Sequence, residues 1–260
     1  MKLGTTLRRL LLLLAIGLLL LAGYIGLASI KNRSGRGGSS VIQRAIEAHG
    51  GETALRRART GTVKGTALKL DRQSLTPIRP FQWEEAFDRG DKVRATLHIK
   101  LPGHSITQVY LLPAGESWQQ QPDGSFHRQG EVPQGVEPIL SPFHKLLQIR
   151  QDELPVVRLE DEVIDGSPAA VVEVESPDWG TVIFYFDQGN GRLIKLSKEI
   201  DLPGDKKVVM SKTFSRFKRI DGAVLPTRIL ELRDAEPDRE LNVVEASLGG
   251  KIDPALFTKP

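Results

Sequence analysis

The stretch KVRATLHIKL, residues 92–101, alternates apolar and polar side chains without a break. The apolar positions, which share one face, are Val93, Ala95, Leu97, Ile99 and Leu101. Because successive side chains of a strand point to opposite faces of the sheet, this period of two predicts a half-buried antiparallel strand.

The same period recurs through most of the chain after residue 60. Turn sequences such as Pro122-Asp123-Gly124 and Asp221-Gly222 separate the runs. The further predicted strands are 61–70, 81–88, 106–112, 117–121, 125–129, 156–164, 169–176, 181–187, 192–200, 206–220, 224–232 and 240–248. Strands do not alternate with helices, which argues against a parallel sheet. The pattern predicts a mainly β (α+β) fold, either a sandwich or a strongly curled sheet that wraps a helix.

Three short helices are predicted beside the strands. The first follows the S-x-x-Q capping pattern of Ser40 and Gln43 and ends at Gly50-Gly51. A second covers residues 52–59. The third covers residues 142–151, where Pro142 suits a first helical turn and one side is apolar.

The N-terminal segment has the character of a membrane anchor. Residues 10–30 carry no charge, and basic residues flank them on both sides. A membrane span needs about 20 apolar residues, whereas the core of a cleavable signal has about 7–15. Length favours a retained signal anchor at residues 1–33, while Gly26-Leu27-Ala28 leaves cleavage open. A flexible Gly/Ser linker, 34–40, and one domain, 41–260, follow.

The charge balance bears on the partners. Of the 36 basic residues, five lie in residues 1–33, where no acidic residue occurs, so the remainder is nearly neutral despite the formal net charge of +4. A nearly neutral domain offers no global field for nucleic acid, and no nucleic-acid partner is predicted. The chain has no cysteine, which excludes disulfides and cysteine metal sites.

Four stretches carry a resemblance to a known family. They are residues 45–55 (AIEAHGGETAL), 184–193 (FYFDQGNGRL), 217–227 (FKRIDGAVLPT) and 252–257 (IDPALF). In their order and spacing the domain resembles the LolA/LolB-like superfamily of periplasmic lipoprotein-sorting proteins. The resemblance implies a strongly curved antiparallel sheet that forms a half-open β-barrel, with the N-terminal and central helices over its mouth.

The resemblance also implies a ligand and a place for it. In such proteins the concave apolar face holds acyl chains. The candidate ligand-binding residues here are Val93, Leu97, Ile99, Phe143, Leu146, Leu147, Val182, Phe184 and Phe186. The helix of residues 142–151 is either part of the packed core or a movable lid, since its amphipathicity suits both roles.

No pattern of catalytic residues is found. The five histidines lack the spacing of a helical zinc site, and the simplest interpretation places each at the solvated surface. Glu84-Glu85 and Asp161-Glu162 are adjacent on strands, so each pair points to opposite faces, and a charged rim is expected. We therefore predict a protein that is not an enzyme, with no catalytic residue, no metal and no cofactor.

Three functions remain in order of preference. The first is non-catalytic binding of a lipid, an acyl chain or a lipidated peptide in an apolar concavity. The second is a scaffold or protein-interaction domain of the cell envelope without a small ligand, in which other envelope proteins are the partners. A hydrolase ranks last. The expected location is the inner membrane, as a single-pass protein with its domain in the periplasm, or the periplasm after signal cleavage.

Overall fold

The computed structural model describes residues 37–70, 77–89, 92–112, 114–132, 137–202 and 206–260. Within them, fourteen strands form one antiparallel sheet. The first half is β1 (Gly61–Leu70), β2 (Pro77–Asp88), β3 (Lys92–Leu101), β4 (His104–Leu112), β5 (Glu116–Gln120), β6 (Phe126–Glu131) and β7 (Val156–Arg158). The second half is β8 (Glu162–Ile164), β9 (Ser167–Ser176), β10 (Gly180–Asp187), β11 (Leu193–Leu202), β12 (Lys206–Ile220), β13 (Ala223–Arg233) and β14 (Glu236–Leu248).

The sheet is open. Strands that are neighbours in the sheet are consecutive in the chain, except that β1 pairs with β14 and β7 pairs with β9. The order runs β6-β5-β4-β3-β2-β1-β14-β13-β12-β11-β10-β9-β7, with β8 paired to β9 beside this path. The pairing of β1 with β14, where Gly61 faces Leu248, joins the two halves. This confirms the predicted mainly β, half-open architecture.

Helices fill the concave side of the sheet. They are α1 (residues 37–48), α2 (Gly51–Arg57) and α3 (Ser141–Gln151), and a 3-10 turn, Pro254–Phe257, closes the chain. Residues from α1, α3, β1–β3 and β9–β14 belong to one buried apolar cluster. Seven neighbour steps separate β3 from β10 in the order, about 34 Å in a flat sheet at roughly 4.8 Å a step. Strong curling of the sheet is what brings both onto one helical core.

Helix α1 begins earlier than its sequence predicts. The helix includes residues 37–40, and the Ser40 hydroxyl donates to the Gly37 carbonyl at 2.9 Å instead of capping residue 43. Gly38 lies against Val156, and a Cβ there would come within 2.9 Å of the Val156 carbonyl oxygen. The close approach of this helix to β7 therefore requires a glycine.

The structure contradicts the prediction of a single-pass inner-membrane protein. No helix among the described residues is long and apolar enough to span a membrane. The longest of them, α1 and α3, fall well short of the roughly 20 residues that a span needs. The apolar segment 10–30, from which that location was predicted, lies outside the described residues, as do residues 34–36 of the predicted linker.

Candidate functional site

Helix α3 lies in the concavity with most of its side chains buried. Phe143 and Leu146 are fully buried, and the Phe143 ring lies 4.9 Å from the imidazole of His49 and 5.4 Å from the ring of Phe214. One side of the helix is thus fixed by contacts with His49, just after α1, and with Phe214 of β12. This side of α3 is core.

His49 joins α1 to two strands. Its Nε2 accepts from the Leu193 N–H at 3.0 Å, so the proton is on Nδ1, which donates to the Val224 carbonyl at 2.5 Å. Burial lowers the pKa of His49 to about 4, and Arg192 adds to this although the Val224 bond opposes it. The expectation of a surface histidine is wrong here, because both ring nitrogens are used inside the fold.

His144 fixes the other side of α3. Its Nε2 lies 2.9 Å from the Ala58 carbonyl just after α2, where it can only donate. Burial lowers the pKa of His144 to about 4, and Arg59 contributes. This side chain is half-buried rather than solvated, and it holds α3 to the end of α2.

A cleft of about 740 Å³ separates α3 from strands β2–β4. That volume lies within the roughly 300–1,000 Å³ of typical small-molecule sites. Its apolar lining residues include Phe87, Val93, Leu112, Leu140, Leu147 and Trp179. Its polar lining residues include Arg59, His144, Lys145, Gln148, Asp152 and Asp178. The cleft therefore offers both apolar surface and polar groups to a bound molecule.

Charged side chains cross the concave face farther along the strands. Lys212 of β12 faces Glu231 of β13, and Glu231 faces Arg239 of β14. The Lys212 ammonium lies 3.3 Å and the Arg239 guanidinium 2.6 Å from the Glu231 carboxylate. Burial alone would raise the pKa of Glu231, but the two cations outweigh it and hold that pKa below its ordinary value.

A second cavity, of about 250 Å³, lies against these charges. Its charged lining is Glu137, Lys145, Lys198, Lys212 and Glu231, and its apolar lining is Val182, Leu196, Ile200 and Met210. Lys145 of α3 is 6% exposed, and its ammonium lies 3.1 Å from the Glu137 carboxylate. Because Glu137 and Lys145 line both the cleft and this cavity, their ion pair marks the boundary between them.

Glu85 of β2 reaches the same interior. Its carboxylate accepts from the Ile139 N–H at 2.8 Å, just before α3, and it borders a third, small cavity with Glu137 and Arg239. Burial raises the pKa of Glu85 to about 7, against the Ile139 bond and the charge of Lys212. The expected charged rim is therefore wrong for this residue.

The candidate ligand-binding residues are mostly in the packed core. Seven belong to the main apolar cluster: Val93, Phe143, Leu146, Leu147, Val182, Phe184 and Phe186. Leu97 packs against that cluster, and Ile99 is half-buried between Phe81 and Ile106. Of the nine, Val93 and Leu147 line the cleft, Val182 lines the second cavity and Leu97 the third. Ligand binding by them stays a prediction.

Sequence reasoning missed the charged residues of the concave face. The signal was present in β12, where Lys212 shares the parity of Val208, Met210 and Phe214, which are apolar. A lysine at an inward position of an otherwise apolar face indicates a buried partner. Within the described residues, no group of three or more histidine or acidic side chains could hold a metal ion.

The architecture is similar to that of three solved structures. One is a DUF1329 family protein from Desulfovibrio piger, with a TM-score of 0.55 at 12% identity, covering 86% of this chain and 97% of that one. Another is an outer membrane lipoprotein-sorting protein domain from Vibrio parahaemolyticus, with a TM-score of 0.52 at 15% identity over 83% and 95%. The third is a LolA superfamily protein from Nitrosomonas europaea, with a TM-score of 0.53 at 16% identity over 85% and 97%.

These similarities define the fold class of the protein. The chain has the fold of LolA superfamily proteins, as the four sequence stretches predicted. No protein-family model and no curated protein matches the sequence. At 12–16% identity the likeness establishes the fold alone.

Proposed function

We propose that this protein binds the acyl chain of a lipid or of a lipidated peptide, without chemistry, in the cleft between α3 and strands β2–β4. The observation that carries the proposal is a cleft of about 740 Å³ whose lining combines apolar side chains with charged and polar ones. Each methylene buried there would contribute about 0.8 kcal/mol. A similar fold in a lipoprotein-sorting domain is in keeping with such a ligand.

The geometry favours the cleft over the remainder of the concavity. Phe143, Phe184 and Phe186 line none of the three cavities; Phe143 packs on Phe214 of β12, and Phe184 stacks on Phe186. Phe87, Val93 and Leu147 of the cleft are also no more than 2% exposed, so its accessible apolar surface lies at the less buried residues. Leu112, by contrast, is only half-buried and lies at the wall of the cleft. An acyl chain is therefore expected to enter the cleft along β4 and α3.

A fluorescence binding assay tests the proposal on the full chain. The probe is an eleven-carbon fatty acid with a dansyl group, whose emission rises in an apolar site. Leu112→Arg places a charge among the apolar lining residues of the cleft and should weaken binding at least tenfold. Val244→Arg, at a side chain that is 74% exposed on β14, is the control and should bind as the wild type does.

Two results would contradict the proposal. The first is no binding of the probe by the wild type. The second is equal binding by Leu112→Arg and the wild type, which would place the probe elsewhere. A folded protein that binds no acyl probe would favour the interaction domain without a small ligand.

A further inference from the structure

Lysines from three elements converge on the second cavity. Lys145 comes from α3, Lys198 from β11 and Lys212 from β12. Leu196 is the direct cross-strand partner of Lys212, so Lys198 lies diagonally across from it on the same face. The three lysines thus line one space of about 250 Å³.

The negative charges of this cavity are already engaged. Glu137 pairs with Lys145, and Glu231 is shared by Lys212 and Arg239. Lys198 has no ion pair within 4 Å in the part of the chain that the structure describes. Three lysines and two glutamates line the cavity, so one positive charge is left over in its lining.

The neighbouring lysines change the pKa of Lys145. Burial lowers the pKa of Lys145; Glu137 opposes this, but Lys212 and Lys198 lower it further by repulsion. Lysines held together against their own repulsion are stabilised by an anion that enters between them. Lysine is a common point-charge partner of phosphate.

We propose that Lys145, Lys198 and Lys212 bind a phosphate group. This phosphate belongs to the headgroup of an amphiphile, and the acyl chain of that amphiphile occupies the neighbouring cleft. The proposal rests on the proposed function, since the Glu137–Lys145 pair borders both spaces. The apolar residues Val182, Ile200 and Met210 would cover the first methylenes beyond the headgroup. The ligand class is then an anionic amphiphile rather than a neutral one.

Calorimetric titration of the full chain separates headgroup from chain. Dihexanoyl phosphatidic acid and dihexanoylglycerol carry the same two acyl chains and differ in the phosphate alone. The wild type should bind the phospholipid at least tenfold more tightly, and salt should reduce the difference because the attraction is ionic. Inorganic phosphate is titrated in parallel.

Lys198→Gln is the decisive variant, because this lysine is half-buried and no ion pair is lost with it. It should bind both lipids with the affinity that the wild type has for dihexanoylglycerol. Lys198→Arg keeps the charge and should restore most of the preference. Lys195→Gln is the control on the same strand, since Lys195 lies over the ring of Tyr185 at 4.7 Å and lines neither cavity.

Each outcome decides something. Equal affinity for the two lipids, unchanged in Lys198→Gln, overturns the anionic site and leaves acyl binding intact. Binding of inorganic phosphate alone, dependent on Lys198, supports the anionic site, identifies free phosphate as its source and contradicts acyl binding. No heat with any of the three probes overturns both.

Discussion

The Lys145 ammonium lies 3.1 Å from the Glu137 carboxylate, and both residues line the cleft beside α3 as well as the second cavity. On its other side the same ammonium lies 5.2 Å from the centre of the Trp179 ring. Helix α3 therefore contributes apolar side chains to the core and a lysine to the boundary of the two spaces.

The ion pair of Lys212 and Glu231 should matter for stability. Lys212→Met takes one of its two cations from the buried Glu231 carboxylate and leaves Arg239 in place, so it should lower the free energy of unfolding by about 1–3 kcal/mol. Lys207→Met, on the same strand, removes the exposed pair with Glu199 and should leave stability close to that of the wild type. Urea denaturation of both variants checks this. Equal losses would show that the position of the Lys212 pair is not buried in solution.

Glu85 should make stability depend on pH. Its pKa in the folded protein, about 7, exceeds the ordinary value of 4.5, so the native state holds the extra proton between these values. The contribution of Glu85 to stability is fully present below about pH 4.5, and up to about 3 kcal/mol of it is lost as pH rises through 7. Glu85→Gln should remove this loss. Glu84→Gln, on the opposite face of β2, is the control, and an unaltered profile in Glu85→Gln would contradict the account.

His49 should act in the opposite direction. Its pKa of about 4 lies below the ordinary 6.5, so its contribution is present above pH 6.5 and is lost as pH falls towards 4. A second ring proton would sit on Nε2 and point at the Leu193 N–H, which now donates a hydrogen bond to that nitrogen. His49→Gln should be less stable at neutral pH, yet lose up to about 3 kcal/mol less on acidification. Parallel curves for variant and wild type would refute the buried neutral imidazole.

Phe143 should carry much of the attachment of α3. It is fully buried between His49 and Phe214, so Phe143→Ala should cost about 3–5 kcal/mol of unfolding free energy. Phe126→Ala on the edge strand β6, where the ring is half-buried, should cost clearly less. Thermal unfolding of both variants measures the difference. A small loss for Phe143→Ala would mean that α3 is a movable lid.

The strands were predictable where the period of two is strict, as in residues 92–101, which form β3 with the predicted bounds. Residues 61–70 and 206–220 also form strands with the bounds that their patterns predict. Residues 156–164 do not form one strand, because Arg158 donates to the carbonyls of Leu159 and Val171 and the strand ends there. A side-chain bond to a distant backbone group leaves no trace in the local pattern.

The site was only partly predictable. Periodicity indicated which residues face inward, but it could not separate Phe184, which packs in the core, from Leu112, which borders the cleft. The Lys212, Glu231 and Arg239 contacts depend on the register of three strands. Register is set by the whole sheet, and the charges become partners only once it is known.

Native mass spectrometry of the full chain purified from expressing cells tests acyl binding most directly. The account predicts one co-purifying acylated molecule per wild-type chain, retained in Val244→Arg and lost in Leu112→Arg. Wild-type protein that carries no such molecule, even after incubation with a lipid extract, would contradict it.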